Sequence, residues 1–242
     1  MLAKILLNKP LAEGIFDLRL QMEPGLTPIP GCFLHIACGE AHVLRRPISL
    51  CDYDTPEGVA RLVYAVKGDG TAWLARQKPG KSLDVLGPRG HGFDLPDVPT
   101  LLVGGGIGVP PMVFCESKLT KSHAILGFRS KDLAVLTGEF GSADICTDDG
   151  SLGEKTFPHL KLKELLATGK WQRVVACGPT VMLKAVAGVC IEADVPCQVS
   201  LEERMACGVG ACLVCACAVH GTYGRVCADG PVFDAKGVEW DG

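Results

Sequence analysis

The sequence predicts three consecutive parts: an antiparallel β-barrel, an α/β domain with a parallel sheet, and a small cysteine-rich segment. Residues 1–97 contain short alternating or apolar runs separated by glycine and proline, a pattern typical of an antiparallel barrel. In residues 98–199, apolar strands, among them "HAILGF" and "LAVLTGEF", alternate with glycine-rich turns and helical stretches, which indicates a parallel sheet with crossover helices. Residues 200–242 have neither pattern. No linker is evident, so we expect the three parts to pack together.

Composition narrows the class of protein. The chain has 242 residues, of which 48% are hydrophobic and 21% charged, and a formal net charge of −3, so it lacks the basic excess of a nucleic-acid-binding protein. No apolar run reaches the roughly 18 residues of a membrane span. The opening "MLAKILLNKP" predicts a first β-strand and not a signal peptide. We therefore expect a cytoplasmic protein.

Cysteine is unusually frequent, with thirteen residues. An odd number in a reducing compartment argues against a disulfide framework. Eight lie in apolar surroundings and are predicted to be mostly small buried hydrophobes: Cys32, Cys38, Cys51, Cys115, Cys146, Cys177, Cys190 and Cys197. The other five lie between Cys207 and Cys227 and require a different explanation.

Four of these five cysteines have the spacing of metal ligands: Cys207, Cys212, Cys215 and Cys227. The pattern C-x4-C-x2-C with a later fourth cysteine is the plant-type spacing for a 2Fe–2S centre. Gly208 and Gly210 allow the loop to curl tightly, so that its backbone N–H groups can point at the sulfurs. Cys217 is left over, and we expect it to lie near the others without being a ligand.

Two alternatives to iron remain open for this segment. Structural zinc also takes four thiolates, although zinc sites usually show two C-x2–4-C pairs and here the last cysteine stands alone. Simple packing of small apolar thiols is the other alternative.

A glycine-rich loop predicts a nucleotide site. "LLVGGGIGVPP" places four glycines between an apolar strand and a helix: Gly104, Gly105, Gly106 and Gly108. Such turns bind a pyrophosphate through backbone N–H groups. The match to G-x-G-x-x-G is incomplete, because Pro111 stands where the third glycine belongs, and no acid follows the next strand at Phe128, Arg129 and Ser130. A tight turn without a ligand is the alternative.

A second turn, "CGP", is expected at the same edge of the sheet. It comprises Cys177, Gly178 and Pro179 and ends another apolar strand. Two glycine turns at the carboxyl ends of strands define one crevice, and a nicotinamide lying there would contact Cys177. For Cys177 the alternative is core packing. No other residue stands out as catalytic, since the sequence contains no evident Ser/His/Asp or paired-carboxylate arrangement.

The barrel carries two short motifs that suit a flavin nucleotide. The first is "RPIS", Arg46, Pro47, Ile48 and Ser49, in which the arginine supplies charge and the serine a hydrogen bond. The second is "KGDGT", in which Gly70 and Thr71 form a turn before a helix and suit a phosphate. An ordinary surface arginine and a capped helix without a ligand are the alternatives.

Together these segments resemble the ferredoxin-reductase family of flavoproteins across the first 200 residues. The likeness rests on "PGCF", "RPIS", "PGKSLDVLGPRGHGF", "GGGIGVPP" and "CGP". With the C-terminal cysteine pattern, the chain most resembles the electron-transfer subunits of NAD-linked (class 1B) dihydroorotate dehydrogenases, which "TDDGS" and "GPVFDAKGVEW" also fit. Two departures are Cys32, where the family has glutamine, and the eleven-residue gap before Cys227, which is shorter than expected.

The resemblance implies three cofactors: FAD, a 2Fe–2S cluster and NAD. It carries FAD binding to Arg46, Pro47, Ile48, Ser49, Val63, Tyr64, Ala65, Gly70 and Thr71. It carries NAD binding to Gly104, Gly105, Gly106, Gly108, Cys177, Gly178 and Pro179. It carries cluster binding to Cys207, Cys212, Cys215 and Cys227.

The resemblance also implies a partner and a direction of electron flow. An FMN-containing catalytic subunit would oxidise dihydroorotate in pyrimidine biosynthesis, and electrons would pass through 2Fe–2S and FAD to NAD+. The expected assembly is a heterotetramer with two chains of each kind. Alternatives are a flavin and iron–sulfur subunit of a ferredoxin–NADP reductase or hydrogenase complex, and a zinc-stabilised module without redox function. In an NADP-linked enzyme, Arg129 and Lys131 would hold the 2′-phosphate.

Overall fold

The computed structural model describes residues 1–240. Its first part contains six strands: β1 (Leu2–Ala12), β2 (Ile15–Gln21), β3 (Phe33–Ile36), β4 (Arg46–Asp54), β5 (Val59–Ala65) and β6 (Ser82–Arg89). They close into an antiparallel barrel in the order β1-β2-β5-β4-β3-β6. Alternating side chains fill the interior, where Leu18, Leu34 and Leu62 are fully buried. The predicted barrel is confirmed, and one short helix, α1 (Asp69–Ala75), connects β5 to β6.

The second part is a sheet with helices packed against it. Its strands are β7 (Thr100–Gly105), β8 (Ser122–Phe128), β9 (Ala143–Thr147), β10 (Arg173–Cys177) and β11 (Cys197–Ser200). Its helices are α2 (Val109–Glu116), α3 (Pro158–Leu166) and α4 (Thr180–Glu192). Neighbouring strands in the order β11-β10-β7-β8-β9 are parallel, which confirms the predicted sheet. Within residues 1–240, no helix is long and apolar enough to cross a membrane.

The cysteine-rich segment starts from and returns to this sheet. It contains a hairpin of β12 (Ala216–Val219) and β13 (Thr222–Arg225), and a short strand, β14 (Val232–Asp234). Strand β14 pairs antiparallel with β11, with Ser200 opposite Val232. The backbone N–H of Leu201 donates to the carbonyl of Pro231 at 2.9 Å. The two ends of the segment are therefore hydrogen-bonded to each other at the sheet.

One predicted strand is wrong. The run "LAVLTGEF", residues 133–140, forms short 3-10 turns, and the strand that follows β8 is β9 further on. Leu136 has a left-handed backbone conformation, with φ of 64°, which a strand cannot accommodate. The apolar side chains of the run pack against the outside of the barrel, at Ile15, Cys51 and Val63. Its hydrophobicity therefore stabilises the contact between barrel and sheet.

An ion pair strengthens the same contact. Arg61 on β5 donates to both carboxylate oxygens of Glu139, at 2.6 and 2.8 Å, and lies 3.2 Å from the carboxylate of Asp17 on β2. The Asp17 side chain is only 3% exposed, so the guanidinium also compensates a buried charge. Because Glu139 lies within the run of residues 133–140, this ion pair joins the barrel to the second part.

We predict that Glu139→Gln lowers the free energy of unfolding by about 1–2 kcal/mol, because Gln replaces a charged partner of Arg61 in a partly exposed site. Urea unfolding followed by fluorescence measures this. The matched control is Glu13→Gln, an exposed residue in the turn between β1 and β2, with an expected change within about 0.5 kcal/mol. Equal stability of the two variants would contradict the prediction.

Candidate functional site

The thiol of Cys207 lies at the start of a curled loop that donates hydrogen bonds to it. The backbone N–H groups of Val209 and Ala211 point at its sulfur, at 3.4 and 3.3 Å. The loop turns at Gly208, where φ is +68°. The Val209 N–H, together with backbone and side-chain hydrogen bonds from Cys212 and the Ala211 N–H, lowers the pKa of Cys207 to about 6. Cys207 is therefore mostly thiolate at neutral pH, the form that binds metal.

The thiols of Cys215 and Cys227 form a second pair, which is buried. Cys227 is 1% exposed and follows β13, and its N–H donates to the Cys215 sulfur at 3.4 Å. The N–H of Gly210 donates to the Cys227 sulfur at 3.2 Å. Burial and the neighbouring Cys215 thiol raise the pKa of Cys227 to about 11. The loop thus places backbone N–H groups against both pairs of thiols.

The arrangement in two pairs fits a two-iron centre. The thiol of Cys207 is hydrogen-bonded to that of Cys212, and the thiol of Cys227 to that of Cys215. A 2Fe–2S cluster takes four thiolates that are shared between two irons. A zinc site requires all four ligands around a single ion. Within residues 1–240, no three His, Cys, Asp or Glu side chains are positioned to hold one metal ion together.

The cysteine loop rests on the outside of the barrel. Phe33 on β3 packs in one apolar cluster with Cys215 and Cys227. Two residues along the same strand, His35 lies directly beneath Gly208, where a Cβ atom would overlap its ring. Arg89 at the end of β6 donates from Nε to the Gly208 carbonyl at 3.1 Å. The cysteine-rich segment therefore packs on β3, whose neighbour in the barrel, β4, carries the "RPIS" motif.

Two groups of the predicted flavin site converge. The guanidinium of Arg46, at the start of β4, lies over Gly70, where a Cβ atom would be 2.5 Å from its Nε. Thr71 shapes the turn: its hydroxyl accepts hydrogen bonds from the N–H groups of Lys67 and Gly68, at 2.9 and 3.2 Å. The absence of a side chain at Gly70 therefore allows the arginine to reach the turn.

The remaining residues predicted for FAD lie on β4 and β5. Pro47, Ile48, Ser49 and Ala65 are half-buried. Tyr64 is inside the barrel: its hydroxyl donates to Asn8 at 3.2 Å, and burial raises its pKa. The Tyr64 side chain is thus part of the barrel core, which leaves its backbone for a ligand. Val63 faces outward and packs in the apolar contact with residues 133–140.

The two glycine turns predicted for NAD lie side by side. Strands β7 and β10 are parallel neighbours, with Cys177 opposite Gly104. A Cβ atom on Gly108 would overlap the Cys177 carbonyl, and one on Gly178 would be 3.1 Å from the Cα of Gly105. Burial raises the pKa of Cys177 to about 12, so its thiol stays protonated. The turns form one crevice at the carboxyl edge of the sheet, where nucleotides bind in such folds.

Comparison with known proteins identifies the cysteine-rich segment and the chain. Residues 202–239 match the iron–sulfur cluster binding domain of dihydroorotate dehydrogenase B. The chain is 39% identical to the electron transfer subunit of dihydroorotate dehydrogenase B (NAD(+)) from Caldanaerobacter subterraneus subsp. tengcongensis, over 98% of each chain. It is 43% identical to the subunit of the same name from Geobacillus thermodenitrificans, over 94% of each chain.

The chain belongs to the family of dihydroorotate dehydrogenase B electron-transfer subunits. The resemblance inferred from the motifs is confirmed. A solved structure of similar fold is that of NADH-dependent reduced ferredoxin-NADP oxidoreductase. One of its chains superposes with a TM-score of 0.88 at 31% identity, covering 100% of this chain and 91% of that one.

Sequence reasoning missed several residues that hold the cysteine loop in this family member. Arg225 donates to the Gly210 carbonyl at 3.0 Å and is held by the carboxylate of Asp229, four residues on. Arg225 and Asp229 lie on either side of Cys227, and this position could have identified them from the sequence. For His35 and Arg89 there is no such signal, because only the folded barrel brings β3 and β6 under the loop.

Proposed function

We propose that the chain carries electrons from a dihydroorotate-oxidising, FMN-containing partner subunit to NAD+ in pyrimidine biosynthesis, with FAD and a 2Fe–2S cluster as its cofactors. One observation carries the proposal: four thiols lie in two pairs, backbone N–H groups are directed at a sulfur of each pair, and the buried pair packs on β3, the barrel strand next to "RPIS". All thirteen cysteines are free thiols, in keeping with a cytoplasmic location.

In this proposal the cluster ligands are Cys207, Cys212, Cys215 and Cys227. FAD supplies the link between hydride exchange with nicotinamide and single-electron exchange with the cluster. The N–H groups of Val209, Gly210 and Ala211 stabilise negative charge on the sulfurs, since hydrogen bonds to the sulfurs set the potential of such centres.

The flavin nucleotide is assigned to the barrel and NAD to the crevice of the sheet. Arg46 and the backbone at Gly70 hold the pyrophosphate of FAD, while Ser49 gives a hydrogen bond and Tyr64 only backbone contacts. Pro47, Ile48, Ala65 and Thr71 also belong to the FAD site, as does the backbone of Val63, whose side chain packs against residues 133–140. NAD lies on Gly104, Gly105, Gly106, Gly108, Cys177, Gly178 and Pro179. The protonated Cys177 thiol packs beside the nicotinamide and does not act as a base.

The partner binds where the cysteine loop is exposed. Cys212 is exposed and is flanked by apolar side chains that are about half-exposed: Val209 at 47%, Leu213 at 63% and Val214 at 52%. An apolar rim around an electron-entry point suits a protein partner. We propose the three units 1–97 for FAD, 98–199 for NAD and 200–242 for the cluster, in a heterotetramer with two chains of each kind.

The test is a visible absorption spectrum of anaerobically purified chain, with iron, acid-labile sulfide and zinc assays and co-purification with the dihydroorotate-oxidising subunit. We expect flavin bands, about two irons and two sulfides per chain, and a complex that reduces NAD+. A colourless protein that holds one zinc would overturn the proposal.

A second candidate is a subunit of a ferredoxin- and NADP-linked complex. The similarity to a chain of NADH-dependent reduced ferredoxin-NADP oxidoreductase, at 31% identity over the whole chain, favours it. Arg129 and Lys131 would then hold the 2′-phosphate. Comparison of NADH with NADPH as reductant, using an artificial acceptor, tests the 2′-phosphate role of Arg129 and Lys131. The partner that co-purifies with the chain, a dihydroorotate-oxidising subunit or a ferredoxin-linked one, separates the two candidates.

A further inference from the structure

His35 is a buried polar side chain that lacks a partner. It is 0% exposed, and neither of its ring nitrogens forms a hydrogen bond within residues 1–240. The backbone carbonyl of Arg45 is close enough to raise the pKa of the ring, but it does not form a hydrogen bond of normal geometry with either nitrogen. An unsatisfied buried polar group costs about 1–3 kcal/mol. Most buried polar groups are satisfied, so this exception needs an explanation.

The surroundings of His35 point to the cysteine loop. The ring lies on the outer face of β3 and directly under Gly208, next to Cys207 in sequence. Phe33, on the same face, packs edge-on to the His35 ring at 6.4 Å between ring centres and also against Cys215 and Cys227. Both side chains thus pack beneath the cysteine loop: Phe33 lies under the Cys215–Cys227 pair, and His35 lies under the Cys207 end of the loop.

Strand β4, which carries the "RPIS" motif, provides few hydrogen-bond partners for the His35 ring. Its partner across the β3–β4 ladder is Pro47, which has no N–H group. The guanidinium groups of Arg45 and Arg46 are positive charges near the ring, and a guanidinium accepts no hydrogen bond. Burial, with a contribution from these charges, lowers the pKa of His35 to about 4, so the neutral ring carries one N–H donor.

We propose that His35 is a positioning residue of the iron–sulfur centre, and that its ring N–H donates a hydrogen bond to a sulfur of the bound cluster beside Cys207. This inference rests on the proposed function, which places a cluster in the loop. Hydrogen bonds to the sulfurs stabilise the reduced, more negative cluster and raise its potential. His35 thereby favours acceptance of an electron by the cluster without being one of its ligands.

The test compares midpoint potentials in chains reconstituted with FAD, iron and sulfide. His35→Phe and His35→Leu remove the donor, and His35→Asn keeps one. His159→Phe, on α3 away from the loop, is the matched control. The cluster is titrated by electron paramagnetic resonance, and FAD by its visible bands. We expect a more negative cluster potential in H35F and H35L, a value closer to wild type in H35N, and unchanged FAD potentials throughout.

The outcomes separate this inference from the proposed function. An unchanged cluster potential in fully loaded H35F or H35L would overturn the role of His35, as would a shift confined to FAD. H35L serves as the second removal variant if the phenylalanine ring prevents folding. Wild-type chain that takes up no iron and sulfide would instead refute the proposed function itself, and the His35 role with it.

Discussion

Cys227→Ser is expected to stop NAD-linked turnover while FAD stays bound. Cys227 is 1% exposed, lies beside Cys215, and accepts the Gly210 N–H, so its loss removes a buried thiol of the second pair, a proposed ligand of the cluster. A serine hydroxyl is a harder ligand than the thiolate that iron–sulfur clusters require. We expect iron and sulfide content to fall, and NAD+ reduction by the complex with its partner to fall on the order of 100-fold or more. FAD content, measured by absorbance after release, should not change.

The control for this variant is Cys217→Ser. Cys217 lies on β12, close to the same apolar cluster, and belongs to neither thiol pair. We expect C217S to keep its iron, sulfide and turnover. NAD+ reduction retained in the C227S complex would show that Cys227 is not a required ligand.

Gly108→Ala should disable the nucleotide crevice and leave both other cofactors in place. A Cβ atom at this position would overlap the backbone carbonyl of Cys177, so the two glycine turns must move apart. A displacement of about 1 Å at a positioned reactant can reduce a rate about 100-fold. We expect reduction of bound FAD by NADH, followed by stopped-flow absorbance, to slow by about this factor.

Gly188→Ala is the matched control for the glycine substitution. Gly188 lies inside α4, and a Cβ atom there would have no heavy atom within 4 Å. Alanine favours a helix over glycine by about 1 kcal/mol, so G188A should be at least as stable as the wild type and fully active. Wild-type rates of FAD reduction in G108A would argue against a nicotinamide site between the two turns.

Local patterns predicted those parts of the molecule that depend on local chemistry. The thiol pairs form within one short loop and one turn, so their spacing in sequence already reflects their spacing in space. The strands of the barrel and sheet follow in the same way from alternation and apolar runs. The strand predicted for residues 133–140 was wrong, because a hydrophobic segment that packs against a neighbouring barrel has the same composition as a buried strand.

The surroundings of side chains that meet only after folding could not be predicted from the sequence. Tyr64 was expected at the flavin by its position, yet the inward face of β5 places its side chain in the barrel core. The role proposed for His35 could not be predicted from the sequence, because β3 and the loop at Gly208 are about 170 residues apart in sequence and meet only after folding. Sequence alone therefore finds the ligands of a centre more readily than the residues beneath it.

The attachment of the cysteine-rich segment at both ends has a consequence for how charge moves. Because Leu201 and Pro231 are hydrogen-bonded where β14 joins the sheet, the loop that carries the four thiols is fixed to the sheet at both of its ends. A mobile carrier delivers electrons by diffusion, and its rate falls as the solvent becomes more viscous. With the cluster and FAD at the sites proposed above, the span between them would be set by the fold, and we expect the rate of electron transfer between them to be insensitive to viscosity.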